Sequence, residues 1–149
     1  MKTIAIYPGS FNPFHIGHLN ILHKADRIFG KENVVIAMGV NPDKNSEGIE
    51  LKCKEISDTL TREVVYYTKF LHELVEDYEN EGYNVVIIRG LRNGSDLDYE
   101  VNQMRFVDDF KKDINVVYIT CDKEFEHISS SAIRSLQSFR SGSGDTYLI

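Results

Sequence analysis

The sequence predicts a doubly wound α/β fold, a five-stranded parallel sheet with helices on both faces. Three observations predict it. Five short apolar runs, rich in β-branched or aromatic residues, recur along the chain, and their continuity suits strands covered on both sides. Helical patterns lie between several of them, giving the alternation of βαβ units. The length of 149 residues, 42% hydrophobic and 27% charged, suits a single domain spanning 1–149 around one core.

The elements follow in order. "IAIY" (4–7) is the first strand. A helix over 18–29 places Ile21, Leu22, Ala25, Ile28 and Phe29 on one face and stops at Gly30. "VVIAM" (34–38) is the second strand and "VVYY" (64–67) the third. A helix over 69–81 gathers Phe70, Leu71, Leu74, Val75 and Tyr78, with Thr68 as N-cap and Gly82 as stop. "VVII" (85–88) is the fourth strand. A helix over 96–110 follows, opened by Ser95 or Asp96 and carrying Leu97, Val101, Met104 and Phe110. "VVYI" (116–119) is the fifth strand, and a short helix with Ile133 and Leu136 comes after three serines. The only low-complexity piece is "SGSG" (141–144).

Charge and cysteine content narrow the function classes. A net charge of −6 gives no sign of a nucleic-acid or anionic-membrane surface. Lys44, Arg89, Arg92 and Arg134 are local cations in this acidic background, the pattern expected around a small anionic ligand. The N-terminal apolar stretch is too short for a secretory signal, and no run approaches the ~18 residues of a membrane span. Cys53 and Cys121 form no C-x-x-C pair and read as reduced thiols, so the expected location is the cytoplasm.

Doubly wound sheets bind ligands beyond the carboxyl ends of their strands. The loops there carry the polar chemistry. After the first strand, "YPGSFNPFHIGH" (7–18) places Ser10, His15 and His18 where a helix begins. A helix N-terminus attracts phosphate, and imidazole N–H groups added there can donate to a phosphoryl oxygen as charge builds. The competing reading is a turn with a helix cap and two partly exposed histidines. Zinc would need three or four ligands, and the cysteines are badly placed to supply them. After the second strand, "GVNPDKN" carries Lys44. After the fourth, "RGLRNGSDLDYE" carries Arg89 and Arg92, whose guanidinium forks suit phosphate; the competing reading is salt bridges to Asp96, Asp98 or Glu100. After the fifth, "EFEHISSSAIR" sets Ser129, Ser130 and Ser131 at a helix start, where they can cap it or build a phosphate nest. His23, His72 and His127 read as structural or surface residues. No P-loop, dinucleotide fingerprint or nucleophile elbow is present. A pocket of donors and cations remains, which fits phosphoryl or nucleotidyl transfer.

These motifs carry a resemblance. "YPGSFNPFHIGH" is similar to the H-x-G-H signature of the Rossmann-like nucleotidyltransferase superfamily. "RGLRNGSDLDYEVNQM" resembles the R-G-L-R…D-x-x-Y-E motif of the bacterial pantetheine-phosphate adenylyltransferase family, and "FEHISSSAIR" its I-S-S-S segment. The likeness runs in order from residue 4 to about 136 and is weakest between 45 and 83. It implies adenylyl transfer from ATP to 4′-phosphopantetheine with Mg²⁺, giving dephospho-coenzyme A and pyrophosphate by direct in-line attack. By that resemblance His18 stabilises the transition state and binds ATP. Ser10 touches ATP and the acceptor, with Phe11 beside it. Lys44 orients the phosphates, Arg89 contacts the acceptor, and Leu71, with Leu74 as an alternative, meets its arm. Gly90, Leu91, Arg92, Glu100, Phe125, Glu126, His127, Ile128, Ser129, Ser130 and Ser131 match ATP-binding positions. Homo-oligomers, commonly hexamers, are also implied.

The chain departs from the pattern in places. Asn12 stands where the family usually has Asp, and "EGIELKCKEI" replaces its T-L-x-E-R. The chain also stops at Ile149, where relatives continue into a further helix. A nicotinamide- or nicotinate-mononucleotide adenylyltransferase is the nearest rival, because "GSFNPFHIGHL" and "ISSSAIR" suit it almost as well. Arg89 to Arg92 with Tyr99 and Glu100 favour the pantetheine branch. A non-catalytic ATP sensor is the rival of another class, and Ser10, His18, Lys44 and Arg89 together argue against it.

Overall fold

The computed structural model describes residues 1–40 and 48–149. Five parallel strands, β1 (Thr3–Gly9), β2 (Val34–Gly39), β3 (Val64–Tyr67), β4 (Asn84–Leu91) and β5 (Asn115–Thr120), form one sheet in the order β3-β2-β1-β4-β5. Five α-helices connect and follow them: α1 (Ile16–Phe29), α2 (Ile49–Leu60), α3 (Leu71–Asn80), α4 (Gly94–Phe110) and α5 (Ser130–Phe139).

Side chains alternate across a strand, so the two faces of β1 feed two cores. Ala5 and Tyr7 join Ile36, Met38, Ile88 and Ile119 beneath Ile21, Leu22 and Ala25 of α1 and Cys53 and Ile56 of α2. Ile4 and Ile6 join Ala37, Val85 and Ile87 on the other face, beneath Leu74 and Val75 of α3. Helices therefore cover both faces, as the continuous apolar runs predict. The chain winds one way from β1 to β2 and β3 and the other way to β4 and β5. The gap between the carboxyl ends of β1 and β4 is thus the switch point, where such sheets open a crevice.

The structure corrects several local expectations. Helix α2 was not predicted; it carries Ile49, Cys53, Ile56 and Leu60 on one stripe but starts at Gly48 with no side-chain cap. Phe70, not Thr68, precedes α3, and its N–H donates to Glu73 Oε1 at 3.1 Å. Asn93, not Ser95 or Asp96, caps α4 by accepting from the Asp96 N–H at 3.0 Å. Helix α1 begins two residues earlier than its apolar periodicity suggests, because a histidine caps it.

Candidate active site

The switch point holds a cavity of about 350 Å³. Its walls are the end of β1 with the loop after it (Tyr7 to Phe11, His15), the start of α1 (Gly17, His18, Ile21), the end of β4 with its loop (Arg89 to Arg92), Asp96, Tyr99 and Glu100 of α4, Cys121, and the β5–α5 segment (Phe125, Ile128, Ser129, Ser130). Three loops distant in sequence meet here because parallel strands all release their chain at the same edge.

The histidine wall is built by reciprocal capping. His15 has extended backbone, and its Nδ1 accepts from the N–H groups of Gly17 at 3.1 Å and His18 at 3.4 Å. His18 answers: its Nδ1 accepts from the His15 N–H at 3.1 Å. This is a capping box made from two imidazoles instead of a hydroxyl and a carboxylate. The rings stack with centroids 3.7 Å apart, and Phe11 and Phe14 close round His18 at 5.0 and 5.1 Å. A Cβ on Gly17 would lie 2.9 Å from His15 Cε1, so the glycine of H-x-G-H leaves room for the capping ring.

This geometry sets the protonation state. Burial pushes His15 down to about 4, with the Arg92 charge adding to the effect. Burial, then the neighbouring His15, holds His18 well below the usual imidazole range. Both rings are therefore neutral near pH 7, as close stacking requires. A neutral imidazole has one donor and one acceptor nitrogen. Because Nδ1 of His18 accepts, Nε2 carries the hydrogen, and it is the nitrogen left free to donate.

The opposite wall is cationic. Arg89 is half-buried; its Nε lies 3.5 Å from Glu100 Oε2, too far for a good hydrogen bond, and is buried without a hydrogen-bond partner. Among the described residues its Nη2 has only Met104 Sδ, at 3.9 Å. A guanidinium placed so is short of an acceptor, and an anion entering the cavity supplies one. Arg92 differs. Its Nε and Nη2 donate to Asp96 at 2.9 and 3.2 Å, so the salt-bridge alternative describes Arg92 in this structure. Arg92 still lines the cavity and could exchange that carboxylate for a phosphate only by breaking a bidentate pair.

The floor is tied together by α5. Ser129 caps it by accepting from the Ala132 N–H at 3.1 Å. Ser130 Oγ donates to Pro13 O at 3.0 Å, and Arg134 Nη1 to Asn12 O at 2.5 Å. Both bonds pin the loop between β1 and α1. Ser10 lies exposed at the rim, while Phe11 is buried with φ +44°, a left-handed backbone held by the packing of its ring.

Ser10, Phe11, His18, Arg89, Gly90, Leu91, Arg92, Glu100, Phe125, Ile128, Ser129 and Ser130 thus line one cavity. Glu126, His127 and Ser131 are exposed and outside its lining. Leu71 also falls outside: it sits on the inward side of the first turn of α3, packed on the core with Leu74. Lys44 lies in 41–47, outside the described residues. Tyr7, Ile21, Asp96 and Cys121 line the cavity without having been singled out for it, since each reads locally as core or surface.

A family model described as cytidylyltransferase-like matches residues 6–136, which takes in the whole lining of the cavity. The chain belongs to that family. Among curated members, the phosphopantetheine adenylyltransferase of Mycoplasma capricolum subsp. capricolum is 38% identical over 146 residues, covering 92% of this chain and 98% of the relative. That of Geotalea daltonii is 34% identical, covering 91% and 83%. The crystal structure of a protein described as a nicotinate-nucleotide adenylyltransferase from Vibrio parahaemolyticus aligns with a TM-score of 0.62 over 93% of this chain. At 16% identity it speaks for the cytidylyltransferase-like fold alone.

Proposed function

We infer that this chain transfers the adenylyl group of ATP to 4′-phosphopantetheine, yielding dephospho-coenzyme A and pyrophosphate, a step of coenzyme A synthesis. The observation that carries the chemistry is that one cavity is lined by His18, whose Nδ1 is taken so that Nε2–H is left to donate, and by Arg89, whose Nε is buried without a partner among the described residues. Similarity over nine-tenths of the chain to relatives named for this reaction supports the acceptor. The same similarity favours it over a mononucleotide acceptor, for which the structural neighbour offers the fold only.

In this reading the acceptor phosphate attacks the α-phosphorus of ATP in line. One O–P bond forms while the bond to the β-phosphate oxygen breaks, and pyrophosphate leaves. His18 Nε2–H donates to the α-phosphoryl oxygen as charge gathers there. Arg89 holds the acceptor phosphate, and the N-termini of α1 and α5, with Ser10 and Ser129, receive the nucleotide phosphates. We assign Lys44 the phosphate-orienting role by its place in the motif. Mg²⁺ enters on the triphosphate in this reading: Glu100 and Asp96, the carboxylates on the cavity wall, already face Arg89 and Arg92. Carried on the triphosphate, such an ion would neutralise phosphate charge.

We also propose a cytoplasmic homo-oligomer. No helix among the described residues is long and apolar enough to cross a membrane. Tyr99, Phe106 and Phe110 stand on one face of α4, each more than 60% exposed, and Phe70 stacks on Phe110 at 5.7 Å. A second copy of the chain is the occupant proposed for this face.

The test is purified protein with ATP, Mg²⁺ and a panel of acceptors, read by pyrophosphate release. Release with 4′-phosphopantetheine supports the reading, and release only with a mononucleotide overturns it. His18→Ala should lower turnover by ~10²–10³ with ATP affinity little changed. A variant that turned over normally but lost ATP would give His18 a binding role instead.

A further inference from the structure

The chain does not finish with α5; it turns and comes back along it. Gln137 organises the turn. Its Oε1 accepts from the N–H groups of Gly142 at 2.8 Å and Gly144 at 3.3 Å, and its Nε2 donates to Asp145 Oδ1 at 2.7 Å. Gly144 is buried against α5, where a Cβ would meet Ile133 Cγ2 at 3.0 Å and Ile133 O at 3.3 Å. A short 3-10 turn, Asp145–Tyr147, then carries the chain back toward the start of α5. Tyr147 meets His127 edge-on at 6.2 Å. Leu148 pairs with His15 in an isolated antiparallel bridge. Leu148 and Ile149 also line a groove with Phe11, Pro13 and Phe14, behind the cavity.

The residue reached by this return is the one on which the histidine wall depends. His15 belongs to a connection, yet only 5% of it is exposed. Its cap works while Nδ1 is an acceptor, and a wet, protonated ring would turn Nδ1 into a donor and lose the cap. The ring that loses its cap also loses its stacking on His18, and the His15 N–H no longer fixes the acceptor nitrogen of His18.

We propose that Asp145–Ile149 is a strap, with Leu148 as a positioning residue: by pairing with His15 it keeps the two-histidine cap closed and so holds His18 Nε2–H toward the cavity. The turnover arm of its test rests on the adenylyl-transfer reading; the tautomer arm does not. Nothing in the strap touches the cavity itself, so its loss should act through geometry.

Gly144→Val and Gln137→Leu release the strap from α5 without altering any cavity residue. The Leu148 N–H donates to Asp145 O at 3.1 Å within the strap, so three other quantities are read on full-length protein: the nuclear Overhauser contact between Leu148 and His15, the imidazole ¹⁵N pattern of His18, and steady-state kinetics. Release should abolish the Leu148–His15 contact and change His18 from a fixed Nε2–H pattern to averaged tautomers. It should lower kcat by up to about 10²-fold while KM for ATP moves less than about threefold. Gln137→Glu combined with Asp145→Asn keeps the accepting oxygen and reverses the donor of the second bond, and should restore both. A lost Leu148–His15 contact with an unchanged His18 tautomer overturns the proposal, as does a loss of kcat that merely tracks a fall in Tm. If Gly144→Val does not fold, Gln137→Leu carries the test. If the wild type uses no acceptor, adenylyl transfer is wrong, and the tautomer still reports on the strap.

Discussion

The histidine cap makes the fold sensitive to mild acid. His15 is held at about 4 in the folded chain, against about 6.5 for a free imidazole. Below pH 6.5 the unfolded chain takes up a proton that the folded one refuses, so stability falls with pH across the window from 6.5 to 4 and is fully present above it. The interval of 2.5 units corresponds to about 3 kcal/mol at 1.36 kcal/mol per unit, and to about 2 kcal/mol once solvent in the cavity is allowed for. His15→Asn tests this, because asparagine accepts hydrogen bonds at an N-cap and does not titrate. Urea denaturation of both proteins at pH 7, 6, 5 and 4.5 gives two stability curves whose common carboxylate contributions cancel in the difference. The wild type should lose about 2 kcal/mol more than the variant on the way down. Parallel curves would refute the claim that a buried neutral His15 caps α1.

Two further perturbations probe other parts of the fold. Arg62 donates to both oxygens of Asp26 at 2.8 and 3.0 Å, and their side chains are 8% and 16% exposed. Arg62→Ala leaves that carboxylate uncompensated and should cost about 3–5 kcal/mol by urea denaturation, whereas Arg62→Met with Asp26→Leu should recover most of it. On α4, Phe106→Glu puts a charge on the exposed aromatic face and should lower the mass seen by light scattering to that of one chain, if that face joins copies; an unchanged assembly places the contact elsewhere.

What could be read from the sequence was what local pattern encodes. The five strands are short β-branched runs closed by glycine or polar residues, and no covered strand needs more to be recognised. Helix α2 escaped because its stripe is thin: only Cys53 and Ile56 are buried, and the helix starts without a capping side chain. Ser129 was legible as one cap among three serines, but Asn93 was passed over for Ser95 and Asp96, since a cap depends on which N–H its oxygen reaches. The site's location followed from topology alone, as the ends of β1 and β4 had to adjoin. Its pairings did not. Arg92 and Arg89 look equivalent in "RGLR", yet Asp96 satisfies one with a bidentate pair while Glu100 stays 3.5 Å from the other. The bridge between His15 and Leu148 joins residues separated by most of the chain, and "SGSG" gives no local hint of it.

The protonation geometry also bears on which acceptors the cavity can use. A general base needs a vacant lone pair within reach of the proton it takes. His18 has none to offer: Nδ1 is occupied by the His15 N–H, and Nε2 carries the hydrogen. Asp96 is tied to Arg92, and Glu100 faces Arg89 across the same wall. Among the described residues the cavity therefore holds mostly donors and cations, and Glu100, 3.5 Å from the Arg89 guanidinium, is its one carboxylate without a close hydrogen bond. An alcohol, which must lose a proton as it attacks, is poorly served by such a site. A phosphate monoester arrives already ionised, its second pKa being about 6, and needs only to be held and aligned. In the proposed reading the same neutral histidine, which cannot take a proton from a nucleophile, donates to the phosphoryl oxygen under attack. A phosphate acceptor, and not a hydroxyl, is the class that suits a site whose His18 bears its hydrogen on Nε2.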